Sequence, residues 1–209
     1  RGTATTMNSR TEGLGMSLPG CASIPATLSE RAEMAYLTGL RIVEMVKEDQ
    51  TPTRIMSRES FENAVVLNSA LGGSTNAPIH INAIARHVGI DLRIEDWQKI
   101  GFEIPLLVNM QPSGKYLGED FYRAGGVPAV MNCLLKAGKL NDNAITANGK
   151  TIAENYVQSP ILDNDVIHTC GEPILENAGF IILKGNICEA AVMKTSAISE
   201  NFRIQYLSR

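Results

Sequence analysis

An α/β fold is what the sequence predicts: a helix-rich, layered domain over residues 1–165, then the opening strands of a β-rich second domain over 166–209. Three observations carry that reading. Apolar residues recur at helical spacing between Leu28 and Gly138, in segments bounded by N-cap and glycine stop signals. A short, almost continuously apolar run, Ile104-Pro105-Leu106-Leu107-Val108-Asn109, reads as a buried strand. Beyond about Asn141 the pattern changes to short strand-like runs separated by glycine-bearing turns.

Taken in order, Gly2-Thr3-Ala4-Thr5-Thr6-Met7 has the small, hydroxyl-rich character of a helix start, and the chain enters it directly. Arg1 is therefore expected to be the edge of a piece of a longer protein. Leu18-Pro19-Gly20 marks a turn. Thr27-x-x-Glu30 is a capping box that opens the clearest helix, Leu28 to Lys47. On it Leu28, Ala32, Ala35, Ile42, Val43 and Val46 form one apolar stripe expected to face the core, with Glu30, Arg31, Arg41 and Glu44 facing away. Ser57 caps a second helix through Phe61, Ala64, Val65 and Leu67 to Leu71. A Gly72-Gly73 loop and a third helix to about Val88 follow, with Gly89 as its stop.

After the expected strand, Gln111-Pro112-Ser113-Gly114-Lys115-Tyr116 is a turn at a strand's carboxyl end, where ligand sites of open α/β sheets gather. Ser113 and Lys115 are there either to touch an acidic substrate or as an ordinary exposed turn. Gly125-Gly126-Val127-Pro128 begins another helix, which closes at Gly138. Asn148-Gly149 reads as a hairpin turn with arms Ala144–Ala147 and Lys150–Ala153. Val166–Thr169, Phe180–Lys184 and Ala190–Lys194 read as strands, which places the domain boundary within Asp163 to Gly179. Those strands are too few to close a core, so the second domain is expected to be truncated.

Composition excludes several classes of function. With 209 residues, 44% of them hydrophobic and 20% charged, the chain has enough apolar material for a sizeable core. A net charge of −3 without a basic block argues against nucleic acid as a partner. The apolar stretches fall far short of a membrane span and no signal peptide opens the chain, so a cytoplasmic protein with no membrane partner is expected. Cys21, Cys133, Cys170 and Cys188 match no zinc or ferredoxin spacing and read as free thiols serving as small core hydrophobes. His80 and His87 share a helix face without a carboxylate at ligand spacing, so no metal site is assigned to them.

The most informative segment is Gly72-Gly73-Ser74-Thr75-Asn76-Ala77-Pro78-Ile79-His80. Glycines that permit close approach, three N-capping residue types and a first-turn proline together describe a helix start with free N–H groups. Such a start suits a carboxylate or other oxyanion, and it also suits a tight, well-capped loop. No P-loop, serine triad or paired-carboxylate motif accompanies it.

The string Gly2-Thr3-Ala4-Thr5-Thr6-Met7-Asn8, followed by Glu12-Gly13-Leu14-Gly15-Met16-Ser17-Leu18-Pro19-Gly20, resembles the dihydroxy-acid and phosphogluconate dehydratase family. The likeness continues through Ala70-Leu71-Gly72-Gly73-Ser74-Thr75-Asn76 and through Glu172 to Asn186, so it runs along essentially the whole chain. Val108 to Leu117, Phe121 to Pro128 and Ala191 to Ser196 resemble the sugar-acid branch, which includes arabinonate and xylonate dehydratases. The branched-chain amino-acid branch shares most of this framework.

The resemblance implies a hydro-lyase that removes water from a 2,3-dihydroxy acid to give a 2-keto-3-deoxy acid, with an iron–sulfur cluster and Mg²⁺ taking part. It also implies a homo-oligomer and a small sugar acid as the ligand. On the family pattern, the cluster cysteines lie before Arg1. The Mg²⁺ carboxylates and a modified lysine lie upstream as well, and a further glutamate and the base serine lie downstream. No catalytic or metal-ligating residue is therefore expected in this stretch, which is expected to be inactive and cofactor-free alone; the alternative from another class is a non-catalytic ligand-binding or structural module that kept the carboxylate-holding loop. Position assigns Gly2, Thr3 and Thr5 to the neighbourhood of the cluster and Gly73, Ser74, Thr75 and Asn76 to the substrate. Truncation is expected to leave an apolar edge that drives self-association.

Overall fold

The computed structural model describes residues 2–198. The expectations about Arg1 and about the end of the second domain lie outside that span. The described part is an α/β arrangement dominated by helices, with one two-stranded antiparallel sheet near its end.

Helix α1 (Gly2–Gly13) grows from the hydroxyl-rich start, and α4 (Arg58–Ala70) packs beside it as the axis of the molecule. Ser57 caps α4 as its sequence predicts, its Oγ accepting from the Ser60 N–H at 3.3 Å. Ten of the thirteen residues of α4 are buried, because apolar groups cover it on two sides. On one side Val66, Leu67 and Ala70 meet Leu107, Val108 and the helix α8 (Gly126–Lys136). On the other, Phe61, Ala64 and Val65 meet α5 (Ala77–His87) and Trp97 of α6 (Ile94–Gly101). Several polar residues of α4 are partnered within this core, although the Asn68 Nδ2 is left without a partner. Asn63, for instance, trades two hydrogen bonds with the Asn141 backbone, at 2.9 and 2.8 Å.

The run Ile104–Val108 is buried, as expected, but it does not form a strand. It pairs through isolated antiparallel bridges, Leu106 with Leu175 and Val108 with Ile167. Pro105 and Pro173 flank the first bridge and supply no N–H, so a continuous ladder is interrupted there. The expected strand Val166–Thr169 is accordingly a single bridge too. The Asn148-Gly149 turn is present, closed by a bridge between Ile145 and Thr151. Its second arm is instead the helix α9 (Ile152–Tyr156), because Thr151 and Glu154 cap each other, Thr151 N–H to Glu154 Oε2 at 2.7 Å and Glu154 N–H to Thr151 Oγ1 at 3.2 Å.

Strands β1 (Phe180–Leu183) and β2 (Ala191–Lys194) pair antiparallel, Phe180 opposite Lys194. Their sheet lies on α6: Phe180 stacks on Trp97 with ring centroids 5.8 Å apart, and Ile182 N–H donates to Gln98 Oε1.

Helix α2 (Ser29–Lys47) departs furthest from expectation. Leu28, not Thr27, is its N-cap, and no side chain caps it. None of its residues is buried, and the apolar stripe expected to face the core is turned outward: Ile42 is 53% exposed, Val43 53% and Val46 76%. The side that touches the body carries Arg31, Met34, Arg41 and Met45. Arg31 and Arg41, expected to face away, anchor it. The Arg31 guanidinium donates to the Ile24 carbonyl, and Arg41 Nε donates to the Ala147 carbonyl at 2.7 Å. Long guanidinium side chains can cover surface and bond carbonyls at once, which lets this helix dock by its polar side.

Candidate functional site

The two candidate strings, some seventy residues apart in sequence, meet in space. Thr3 Oγ1 lies 3.1 Å from Ser74 Oγ, Asn76 Nδ2 donates to Thr3 Oγ1 at 2.9 Å, and Ser74 N–H donates to Thr6 Oγ1 at 3.2 Å. Sequence reasoning nominated Gly2, Thr3 and Thr5 for one role and Gly73, Ser74, Thr75 and Asn76 for another. The fold joins Thr3, Ser74 and Asn76 in one hydroxyl–amide network.

The glycine pair makes this approach feasible. Gly72 has a φ of 59°, in the left-handed region. A Cβ on Gly73 would collide with Asn68 Oδ1 and stand 2.9 Å from the Arg10 guanidinium. Asn76 is the N-cap of α5, but its backbone is helical and its side chain serves Thr3 instead of the helix. Within the loop, Ser74 Oγ accepts from Asn76 N–H and the Ser74 carbonyl accepts from Ala77 N–H. The expected row of free N–H groups at this helix start is thus largely consumed, and side-chain hydroxyls face the ligand space in its place.

A cavity of about 410 Å³ opens between the two strings, lined by Gly2, Thr3, Thr5, Gly73, Ser74 and Thr75 together with Gln111, Pro112 and Lys194. Lys194, at the end of β2, is a residue that sequence reasoning missed. Its Nζ donates to the Gly72 carbonyl at 2.6 Å and to Ser113 Oγ at 2.9 Å, and burial holds its pKa below the usual lysine value. Ser113 thus joins the site through this contact, whereas Lys115 lies over the Tyr116 ring. A second cavity of about 610 Å³ begins across the first turn of α1, and Gly2, Thr5, Ser9 and Gln111 line both.

Behind the loop sits an unusual buried pair. Arg10 is wholly buried, donates to Asn68 Oδ1, and lies 5.5 Å from the centroid of Trp97, while its Nε has no partner. Burial pushes its pKa down to about 9. Glu12 is also wholly buried, and burial pushes its pKa up to about 7. Two apart on a helix, these side chains leave in different directions and do not pair. Glu12 instead accepts from Gly20 N–H at 2.7 Å and Ala22 N–H at 2.9 Å, with Tyr156 Oη 3.4 Å away. The Glu12 to Gly20 motif is therefore a carboxyl clamping its own turn. The signal was in the string itself, a glutamate followed at turn distance by Leu18-Pro19-Gly20.

Among the described residues no group of three or more His, Cys, Asp and Glu side chains converges as a metal-ligand set. His80 and His87 are both exposed. The cysteines are free, as expected; Cys133 and Cys170 are half-buried against the core, Cys21 is half-buried and Cys188 is exposed. Cys133 and Cys170 touch, a pairing invisible in their spacing. No helix of the described residues is long and apolar enough to cross a membrane.

Comparison with known proteins gives a concordant result. The family profile described as "Dihydroxy-acid/6-phosphogluconate dehydratase N-terminal" matches residues 1–155. A D-xylonate dehydratase of Caulobacter vibrioides is 51% identical over 208 residues, covering 100% of this chain and 35% of the relative. An L-arabinonate dehydratase of Rhizobium leguminosarum is 46% identical over 194 residues, 92% of this chain and 34% of the relative. A dihydroxy-acid dehydratase of Caldanaerobacter subterraneus is also 46% identical, over 198 residues, with 94% and 36% covered. The chain spans about a third of the length of these relatives.

Proposed function

The chain belongs to the dihydroxy-acid/6-phosphogluconate dehydratase family, and from that premise we propose that it forms the carboxylate-binding wall of a sugar-acid dehydratase. The reaction is loss of water from a 2,3-dihydroxy acid to a 2-keto-3-deoxy acid. One observation carries the reading: Thr3, Ser74 and Asn76 form a single hydrogen-bonded network on a cavity that also holds the Lys194 ammonium.

A hydroxyl network beside a half-buried cation is suited to an aldonate. Lys194 supplies the positive charge for the carboxylate, held in place by the Gly72 carbonyl and Ser113. Thr3 and Ser74 each offer a hydroxyl that can donate to or accept from the sugar-acid hydroxyls, and Asn76 fixes the orientation of Thr3. The iron–sulfur cluster and Mg²⁺ implied by the resemblance would supply Lewis-acid assistance to departure of the 3-hydroxyl. On the family pattern their ligands would lie outside this stretch. Gly2, Thr3 and Thr5 would stand beside the cluster and Gly73 to Asn76 beside the substrate.

The division into domains at residues 165 and 166, a cytoplasmic location and assembly as a homo-oligomer complete the proposal. The outward apolar face of α2 supports the last of these. Sugar-acid preference rests on the 51% identity to a D-xylonate dehydratase, against 46% for both the L-arabinonate and the dihydroxy-acid dehydratase. Turnover by the full-length enzyme on D-xylonate, L-arabinonate and a branched-chain 2,3-dihydroxy acid separates the branches. Faster conversion of either aldonate is expected. Exclusive use of the branched-chain acid would place the protein in the other branch, and no dehydration of any of the three would overturn the proposal.

A further inference from the structure

Cys133, in the last turns of α8, and Cys170, in the loop after the Val108–Ile167 bridge, are 37 residues apart, yet their Sγ atoms lie 2.9 Å from each other. Backbone groups hold the pair in register. Cys170 N–H donates to Cys133 Sγ at 3.1 Å, and Cys170 Sγ reaches the Cys133 carbonyl at 3.5 Å. Both cysteines line a surface cavity of about 480 Å³, together with Asn132, Lys136, Pro160 and Asn164. Small solutes therefore have a route to a pair of sulfurs already in contact. The site is separate from the Thr3–Ser74 cavity, and nothing in the dehydration chemistry uses it.

The two sulfurs are not equivalent. The hydrogen bond from Cys170, then its N–H and the Lys136 ammonium, lower the pKa of Cys133. The same contact raises that of Cys170, helped by burial. A half-exposed thiolate beside a cation, with a second sulfur in reach, is the arrangement in which cysteine oxidation is selective.

We propose that Cys133 and Cys170 are a peroxide-reactive dithiol site, with Cys133 the attacking sulfur and Cys170 the resolving one. The Cys133 thiolate attacks one oxygen of hydrogen peroxide and the O–O bond breaks. The departing hydroxide takes up the proton that the thiol had released and leaves as water, so Cys133 becomes a sulfenic acid. Cys170 Sγ then attacks the Cys133 sulfur, the S–O bond breaks, and the hydroxyl leaves with the Cys170 proton as a second water. Two thiols are oxidised by two electrons to one disulfide, and one peroxide is reduced to two waters. The new bond ties α8 to the loop that runs alongside Leu107 and Val108. A small dithiol reverses it by exchange.

The test is a non-reducing peptide map of the full-length protein after titration with hydrogen peroxide, with competitive alkylation of the untreated protein alongside. The expected result is a Cys133–Cys170 cross-linked peptide that disappears with dithiothreitol, and alkylation at least tenfold faster at Cys133 than at Cys170. In Cys170→Ser, dimedone should label Cys133 as a trapped sulfenic acid. The proposal is overturned if both sulfurs stay alkylatable at a dose that oxidises exposed Cys188, or if the cross-link joins either to another cysteine. Equal or faster labelling of Cys170 would overturn the assignment of roles. The wild-type map and alkylation rates decide both points even if the variant does not fold.

Discussion

Helices α4 and α2 begin from similar sequence signals and end in opposite situations. Each has a recognisable start and apolar residues at helical spacing, yet α4 buries ten residues and α2 buries none. The difference lies in what covers them. Helices α1, α5, α6 and α8 and the Ile104–Val108 run close over α4, while α2 rests on the body through two arginines and two methionines. Helical periodicity thus reveals that a face exists; it does not say whether this stretch or another surface covers it.

The largest expected effect falls on α4. Phe61→Ala empties a fully buried site and should cost about 3–5 kcal/mol in denaturant unfolding. Val43→Ala on α2 should stay within about 0.5 kcal/mol in the 209-residue chain, because that side chain is half-exposed. A loss of 2 kcal/mol or more there would break the contrast. Gly73→Ala should be nearly as damaging as Phe61→Ala, since its Cβ meets Asn68 and Arg10 at the buried end of α4; a fully stable variant would show that the loop can move aside.

Oxidation of Cys133 and Cys170 closes a 37-residue loop and should raise stability by about 3–4 kcal/mol if the bond forms without strain. Thermal unfolding with and without a small dithiol measures it. An oxidised form that is no more stable would mean that the loop after Ile167 distorts to make the bond.

Glu12 gives the smaller, pH-dependent effect. Its folded pKa, about 7, lies above the ordinary carboxylate value of 4.5, so the folded state holds a proton that the unfolded state has lost between those values. Stability is therefore greatest below about 4.5 as far as this group is concerned, and falls as pH rises towards 7. Glu12→Gln should flatten that slope while keeping one of the two backbone contacts, and an unchanged slope in equilibrium unfolding would assign the pH dependence elsewhere. Replacing Leu40 and Val43 by Ser should leave the fold intact and reduce self-association in sedimentation experiments. Unchanged association would remove α2 as a contact surface.

Much of the fold was legible because its signals are local. Ser57 marks the start of α4 by its side-chain cap, and Gly89 after α5 and the glycine pair before α8 mark theirs by left-handed backbone. Thr151-x-x-Glu154 is an equally local signal for α9, and the hairpin expected around Asn148-Gly149 left it unused. The Ile104–Val108 strand was misjudged because bridging depends on a partner segment interrupted by Pro173, far along the chain. At the site, the capping residue types pointed to Ser74, and the family resemblance pointed separately to Thr3. Their meeting, and the arrival of Lys194 from β2, are tertiary facts that no spacing encodes. Buried Arg10 is the sharpest case, because an arginine in a sequence reads as surface until a carbonyl oxygen and an indole ring are placed around it.

The central claim is that Lys194 and the Thr3–Ser74 network hold the carboxylate of a sugar acid. Its most direct test is steady-state kinetics of Lys194→Met in the full-length enzyme, on the aldonate that the wild type turns over fastest. Removing a half-buried cation from a carboxylate should lower kcat/KM by about 10²–10³-fold, mostly through KM, with thermal unfolding nearly unchanged. A variant that keeps wild-type kcat/KM would contradict the assignment and leave the cavity without a role in substrate binding.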